Sequence, residues 1–224
     1  MLDKLKTKTL FGMPEHSIAW EYLSAFEYPW QALDGLGEYI LALGKTLPRE
    51  EYDNPTEGVY IAKSAKIAPT AFIGAPTIIC AGAEVRHCAF IRGCAIVGRD
   101  AVVGNSVEVK NVILFDGVQI PHFNYVGDSI LGYKSHMGAG AVTSNVKSDK
   151  SEVSIRFFDE RVFTGRRKLG AILADFVEVG CNSVLNPGTI IGTHSNVYPL
   201  SSVRGYVEAY HIFKSPTEIV EKCK

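Results

Sequence analysis

The chain has 224 residues, 46% of them hydrophobic, enough for one sizeable packed domain with a short attachment and too apolar for general disorder. Lys+Arg 23 against Asp+Glu 24 leaves a net charge of −1, which excludes a global field able to hold nucleic acid or an anionic membrane. No apolar stretch approaches 18 residues and no h-region follows the first lysines, so a soluble, cytoplasmic protein is expected.

Residues 1–56 are expected to form a mostly helical cap. Ala19 to Phe26 reads as helical, and Gln31 to Leu43 places Leu33, Leu36, Ile40 and Leu43 on one face. Such a cap would cover the strand edges of whatever follows.

From residue 57 to 205 an aliphatic residue recurs every six positions. Ile61, Ile67, Ile73, Ile79, Val85, Ile91, Val97, Val103 and Val109 are unbroken, with small residues such as Ala65, Ala71, Ala83, Ala89, Ala95 and Ala101 four positions on. A helix has no use for a period of six, and an ordinary strand alternates at two. The pattern predicts an all-β fold, a left-handed parallel β-helix of hexapeptide repeats with eighteen residues per coil. Leu114, Ile120 and Val126, then Leu131 and Met137, hold the interval after one-residue slips. Leu173, Val179, Leu185, Ile191, Val197 and Val203 resume it. Residues 146–171 carry no hexad and are rich in Arg and Lys, which marks an excursion from the wall. Over residues 206–224, Ser215-Pro-Thr-Glu218 predicts a capped, short C-terminal helix.

Residues eighteen apart stack at the inter-strand distance. Arg92 therefore meets Lys110, and a phosphate would relieve their repulsion; two solvated charges are the alternative. His122 has the side chain suited to general-base work near neutrality, or it is a wall residue. The run Gly138-Ala-Gly-Ala-Val-Thr-Ser-Asn145 strips side chains from the wall, for a ligand or for a tight bend. Five cysteines without a C-x-x-C pair argue against a disulfide framework, and no metal is expected.

Val107-Glu-Val-Lys110, His122-Phe-Asn-Tyr-Val-Gly-Asp128 and Met137 to Asn145 keep a recognisable order and spacing, as do Thr164 to Ile172 and Val177 to Gly188. Across Arg92 to Ser202 the chain resembles the acetyltransferase domain of bifunctional sugar-1-phosphate nucleotidyltransferase/acetyltransferases, the UDP-N-acetylglucosamine pyrophosphorylase-related enzymes. The Gly-rich loop of their nucleotidyltransferase half does not occur in residues 1–56. The resemblance implies acetyl-CoA as co-substrate, an amino-sugar 1-phosphate as acceptor and a homotrimer, with a separate nucleotidyltransferase as a possible partner. His122 would be the general base. Arg92, Lys110, Tyr125, Asn145 and, by a looser match, Lys150 would hold the sugar phosphate, and Ala139, Cys181 and Pro199 would line the CoA groove. A non-catalytic subunit serving a separate sugar nucleotidyltransferase and an O-acetyltransferase are the alternatives.

Overall fold

The computed structural model describes residues 2–223 and contains the expected parallel β-helix. Each hexad is a short strand followed by a turn, and the aliphatic residues stack into three inner columns. The first wall aligns Ile61, Ile79, Val97, Leu114, Leu131, Leu173, Ile191 and Val207. The second aligns Ile67 with Val85 and Val103, then Ile120, and later Met137, Val179, Val197 and Phe213. The third aligns Ile73, Ile91, Val109 and Val126, then places Thr143 before Leu185 and Val203. Thr143 is fully buried because its hydroxyl accepts the Gly127 N–H at 2.9 Å, so the polar atom inside the wall is satisfied.

The one-residue slips lie between Val109 and Leu114 and between Val126 and Leu131. They shift the register from eighteen to seventeen, pairing Lys110 with Gly127 and Val112 with Ser129. Left-handed backbone marks the corners. Where the second wall turns into the third, Cys88, Ser106, Phe123, Asn182 and Leu200 all have φ between 50° and 61°.

Because strand side chains alternate, the residue before each inner position of the first wall points outward. These residues are Ile78, Ile96, Ile113, Ile130, Ile172 and Ile190, and each is fully buried. What covers them is the N-terminal segment, built from the helices Trp20–Leu23 and Leu36–Gly44 and the 3-10 turn Pro29–Leu33. Its Leu5, Phe11, Leu23, Trp30, Leu36 and Ile40 join the same core. Burying six isoleucine side chains at roughly 2 kcal/mol each is reason enough for the segment to lie there.

The helices of the segment lie lengthwise along the first wall, and its last residues, Tyr52–Thr56, reach the first coil. Lys4 pairs with Glu208 near the last coil, and Gly12 N–H donates to Asp175 at 2.8 Å. Further along, Phe11 stacks on Phe115 at 4.9 Å and His16 on Tyr133 at 3.7 Å. Gly44 reaches the Tyr60 ring on the first coil, which leaves no room for a Cβ. The open edge of that coil is closed by Tyr52–Thr56, paired antiparallel with Val59–Ala62.

The excursion is a hairpin, Ser154–Phe157 against Glu160–Phe163, with Val153, Ile155 and Phe157 fully buried. Arg166 ties its base to Asp34 of the N-terminal segment. The predicted C-terminal helix is replaced by a second hairpin, His211–Ser215 against Glu218–Glu221. The physical reason is that His211–Ser215 adds a rung beside Asn196–Val197 and buries Phe213. The β-branched Ile219-Val220 then pairs back across Pro216-Thr217. The Ser-Pro-Thr-Glu signature fits a two-residue turn as well as a helix start. No helix among the described residues is long and apolar enough to cross a membrane.

Candidate active site

On the third wall, outward-facing side chains form two rows. One runs Phe72, Phe90, Glu108, Tyr125. In the other, Arg92 follows Ile91 and sits beside Lys110, its N–H bonded to the Val109 carbonyl at 3.0 Å. The predicted stacking of Arg92 on Lys110 is therefore present. Neither charge is left for a ligand to neutralise alone, however. Arg92 donates to Glu108 at 2.8 Å, and the Lys110 ammonium lies 3.5 Å from Asp128. Each cation keeps further N–H donors, since the guanidinium has five and the ammonium three.

Asp128 organises this face. Its side chain is nearly buried, and it accepts the Asn111 amide at 2.8 Å and the Asn145 amide at 2.5 Å besides facing Lys110. The seventeen-residue register puts Gly127, with no side chain, next to Lys110, and the Tyr125 ring folds into the space a Cβ there would fill. Burial raises the Tyr125 hydroxyl above its ordinary value, reinforced by the Asp128 and Glu108 charges and opposed by Arg92 and a hydrogen bond with Asn145. Tyr125, Asn145, Lys110 and Arg92 are thus gathered on one face.

His122 ends the strand Gln119–His122 at the corner that precedes Tyr125. His122 stands at the end of that strand, where the left-handed Phe123 turns the chain away from the wall, and it is exposed. Its N–H donates to Asn124 Oδ1 at 3.1 Å, and the buried Asn124 amide in turn donates to the carbonyls of Gly138 at 2.8 Å and Ala141 at 2.9 Å. This staple fixes the backbone of the corner. Among the described residues the imidazole itself has no hydrogen-bond partner.

The same corner holds Ala139, Cys181 and Pro199. Gly140 N–H donates to the His122 carbonyl at 3.0 Å, Asn182 N–H to Ala139 at 2.9 Å and Leu200 N–H to Cys181 at 2.9 Å. The three residues and His122 therefore occupy successive rungs of one column. Gly138 and Gly180 leave no room for side chains there, since a Cβ on Gly138 would lie 2.8 Å from the Cys181 nitrogen. The column itself offers backbone and small groups, flanked by the exposed Phe123 and Leu200.

Lys150 is not brought to this face by any contact. It is exposed in the turn that opens the excursion, its N–H bonded to the Lys147 carbonyl at 2.9 Å. Glu108, Asn111, Asn124 and Asp128 are the polar residues that the motif reading passed over. No group of three or more His, Cys, Asp or Glu side chains able to hold a metal occurs among the described residues.

No family model matches the chain. It is 37% identical over 108 residues to the bifunctional sugar-1-phosphate nucleotidylyltransferase/acetyltransferase of Sulfurisphaera tokodaii, covering 47% of this chain and 27% of that protein. It is 39% identical over 88 residues to the bifunctional protein GlmU of Methanococcus maripaludis, covering 39% of this chain and 21% of that one. The chain is a relative of these bifunctional proteins. It matches only about a quarter of their length. Among solved structures, the polySia-specific acetyltransferase NeuO covers 75% of this chain and 88% of its own, at TM-score 0.45 and 10% identity. The acetyltransferase domain of PglB from Neisseria gonorrhoeae covers 72% and 62%, at TM-score 0.33 and 19% identity.

Proposed function

We propose that the protein is an acetyl-CoA-dependent N-acetyltransferase acting on an amino-sugar 1-phosphate, either glucosamine-1-phosphate or galactosamine-1-phosphate. The observation that carries this reading is the placement of His122 at the head of the Ala139, Cys181 and Pro199 column, beside the face that bears Lys110 and Arg92. Similarity to a bifunctional sugar-1-phosphate nucleotidylyltransferase/acetyltransferase supports the same reading.

In this reading the acetyl-CoA arm lies along the stripped column, where small groups let its amide chain reach backbone donors and acceptors. Lys110 and Arg92 use their remaining donors on the sugar phosphate. Tyr125 and Asn145 orient the ring. The sugar amine then attacks the thioester carbonyl. A C–N bond forms, the C–S bond breaks, the amine proton passes to His122, and the sulfur leaves as CoA. Positioning and one general base supply most of the rate, and no cysteine nucleophile is required.

A homotrimer fits the distribution of surface. The first wall is already covered, whereas Phe72, Phe90 and Phe123 are 59%, 43% and 62% exposed on the third wall and its corner, with Leu200 at 80%. Copies packed there would enclose the His122 column. A cytoplasmic location accords with this chemistry.

One observation favours a second reading, a non-catalytic subunit serving a separate nucleotidyltransferase. The His122 imidazole has no orienting partner within the described residues, and both cations are already paired. Thioester release separates the two. Purified protein with acetyl-CoA and each amino-sugar phosphate should liberate free CoA, and no release with either acceptor would sink the enzymatic reading. An acceptor screen that includes sugar hydroxyls tests O-acetylation.

A further inference from the structure

The outward row of the third wall that begins with Arg92 and Lys110 continues past Gly127 and Ser144 to Asn186 and Arg204. At its far end the electrostatics differ. Among the described residues Arg204 meets only the neutral Asn186 Oδ1, at 3.5 Å. Arg156, from the excursion hairpin, is seated over Gly205, where φ is +83° and an added Cβ would stand 2.9 Å from the Arg156 Cβ. Arg156 also faces Arg161 directly across the hairpin, a like-charge pair that destabilises the sheet unless an anion is present. No ion pair joins these three arginines to a carboxylate among the described residues. Among the described residues that line the place, the one carboxylate, Glu208, is engaged by Lys4.

Arg156 and Arg204 line a groove of about 560 Å3 together with Phe158, Tyr206 and His211. The Phe158 and Tyr206 rings stand 5.9 Å apart at 72°, and Phe158 is 45% exposed at the hairpin turn. His211 directs Nδ1 to the Ala209 carbonyl at 2.8 Å, which makes Nε2 of the neutral ring an acceptor. Uncompensated guanidinium groups select phosphate, and the exposed Phe158 ring, backed by the half-buried Tyr206, selects a flat heterocycle. The volume lies in the range of small-molecule sites.

We propose that this groove binds a phosphorylated nucleoside, with Arg156 and Arg204 on the phosphate and Phe158 and Tyr206 against the base. Two sources share that chemistry: the adenosine 3′,5′-bisphosphate end of CoA, and a free nucleoside diphosphate or its sugar conjugate. The site uses none of the residues assigned to acetyl transfer.

Calorimetric titration of the full chain with adenosine 3′,5′-bisphosphate, UDP and inorganic phosphate, without any acyl donor, tests it. At least one nucleotide should bind, and phosphate alone should bind at least tenfold more weakly. The double variant Arg156→Ala/Arg204→Ala should weaken that nucleotide tenfold or more, and Phe158→Ala should weaken it several-fold. Preference for the adenosine compound assigns the groove to CoA; preference for UDP assigns it to a free nucleotide. Absence of binding by both nucleotides, or affinity unchanged in the folded double variant, overturns the proposal. Phe158 is exposed at the hairpin turn and belongs to neither guanidinium, so its variant reads the site even if the double variant melts early. Failure of acetyl transfer leaves this readout untouched.

Discussion

The Asp128 carboxylate accepts the Asn145 side-chain amide at 2.5 Å, joining two residues from adjacent coils across a one-residue slip in the hexad. The same carboxylate faces Lys110 at 3.5 Å and Asn111 at 2.8 Å, so three side chains on the proposed acceptor face take their orientation from one buried charge.

Asp128→Ala should therefore do two things. Leaving Lys110 and two amides without their acceptor should lower stability by about 1–3 kcal/mol, read by denaturant unfolding. It should also raise the KM for the amino-sugar phosphate at least tenfold while leaving acetyl-CoA affinity within about threefold, because the column does not touch Asp128. An unchanged KM would show that the network is only structural.

His122→Ala should cut turnover by about 10²–10⁴-fold, the contribution expected of a general base. The corner is held by backbone and by Asn124, so the melting temperature and acetyl-CoA binding should stay close to those of the unsubstituted protein. Loss of either would mark His122 as a structural residue.

Ile113→Ala, on the outer face of the first wall, should destabilise the protein by about 2–5 kcal/mol. That is the cost of a core position, although the residue lies outside the solenoid. A melting curve within about 0.5 kcal/mol of the unsubstituted protein would mean that the N-terminal segment is not seated there in solution.

Asp175 receives the N–H groups of Gly12 and Tyr133, both at 2.8 Å, and so ties the N-terminal segment to the wall. Burial raises its pKa above 3.8, with the hydrogen bonds from Tyr133, Gly12 and Met13 opposing. In the window just above the ordinary aspartate value the folded state holds more protons than the unfolded one. Its contribution therefore declines as pH rises through that window and is constant above it. Asp175→Asn should remove this downward slope from a plot of stability against pH; an identical slope in the variant would contradict the assignment.

The inner columns were legible because the aliphatic hexad is a direct record of which side of each strand faces in. The excursion's bounds were legible for the same reason, as the loss of phase between Val146 and Ala171. The outer isoleucine ladder was written in the sequence too, in the doublets Ile78-Ile79, Ile96-Val97, Ile113-Leu114 and Ile172-Leu173. Adjacent apolar residues in a strand mean that both faces are buried. Reading only every sixth residue hides it, and with it the surface that the N-terminal helices cover. Asp128 was harder, because the slips change which residues oppose one another and its left-handed corner cannot be inferred from period alone. At Ser215-Pro-Thr-Glu218 local chemistry allowed both a helix start and a hairpin turn. Only the unpaired edge of Asn196–Val197 decided between them.

A stack of coils held only by nearest neighbours can fray from either end, one rung at a time. Here a single strap bonds Lys4 to the rung of Glu208 and presses Gly44 on the rung of Tyr60. The first coil and the last are thereby coupled through chain that belongs to neither, and losing one end loosens the cover of the other. The solenoid should accordingly unfold as one cooperative unit, and inserting or deleting a coil would have to change the length of the strap as well.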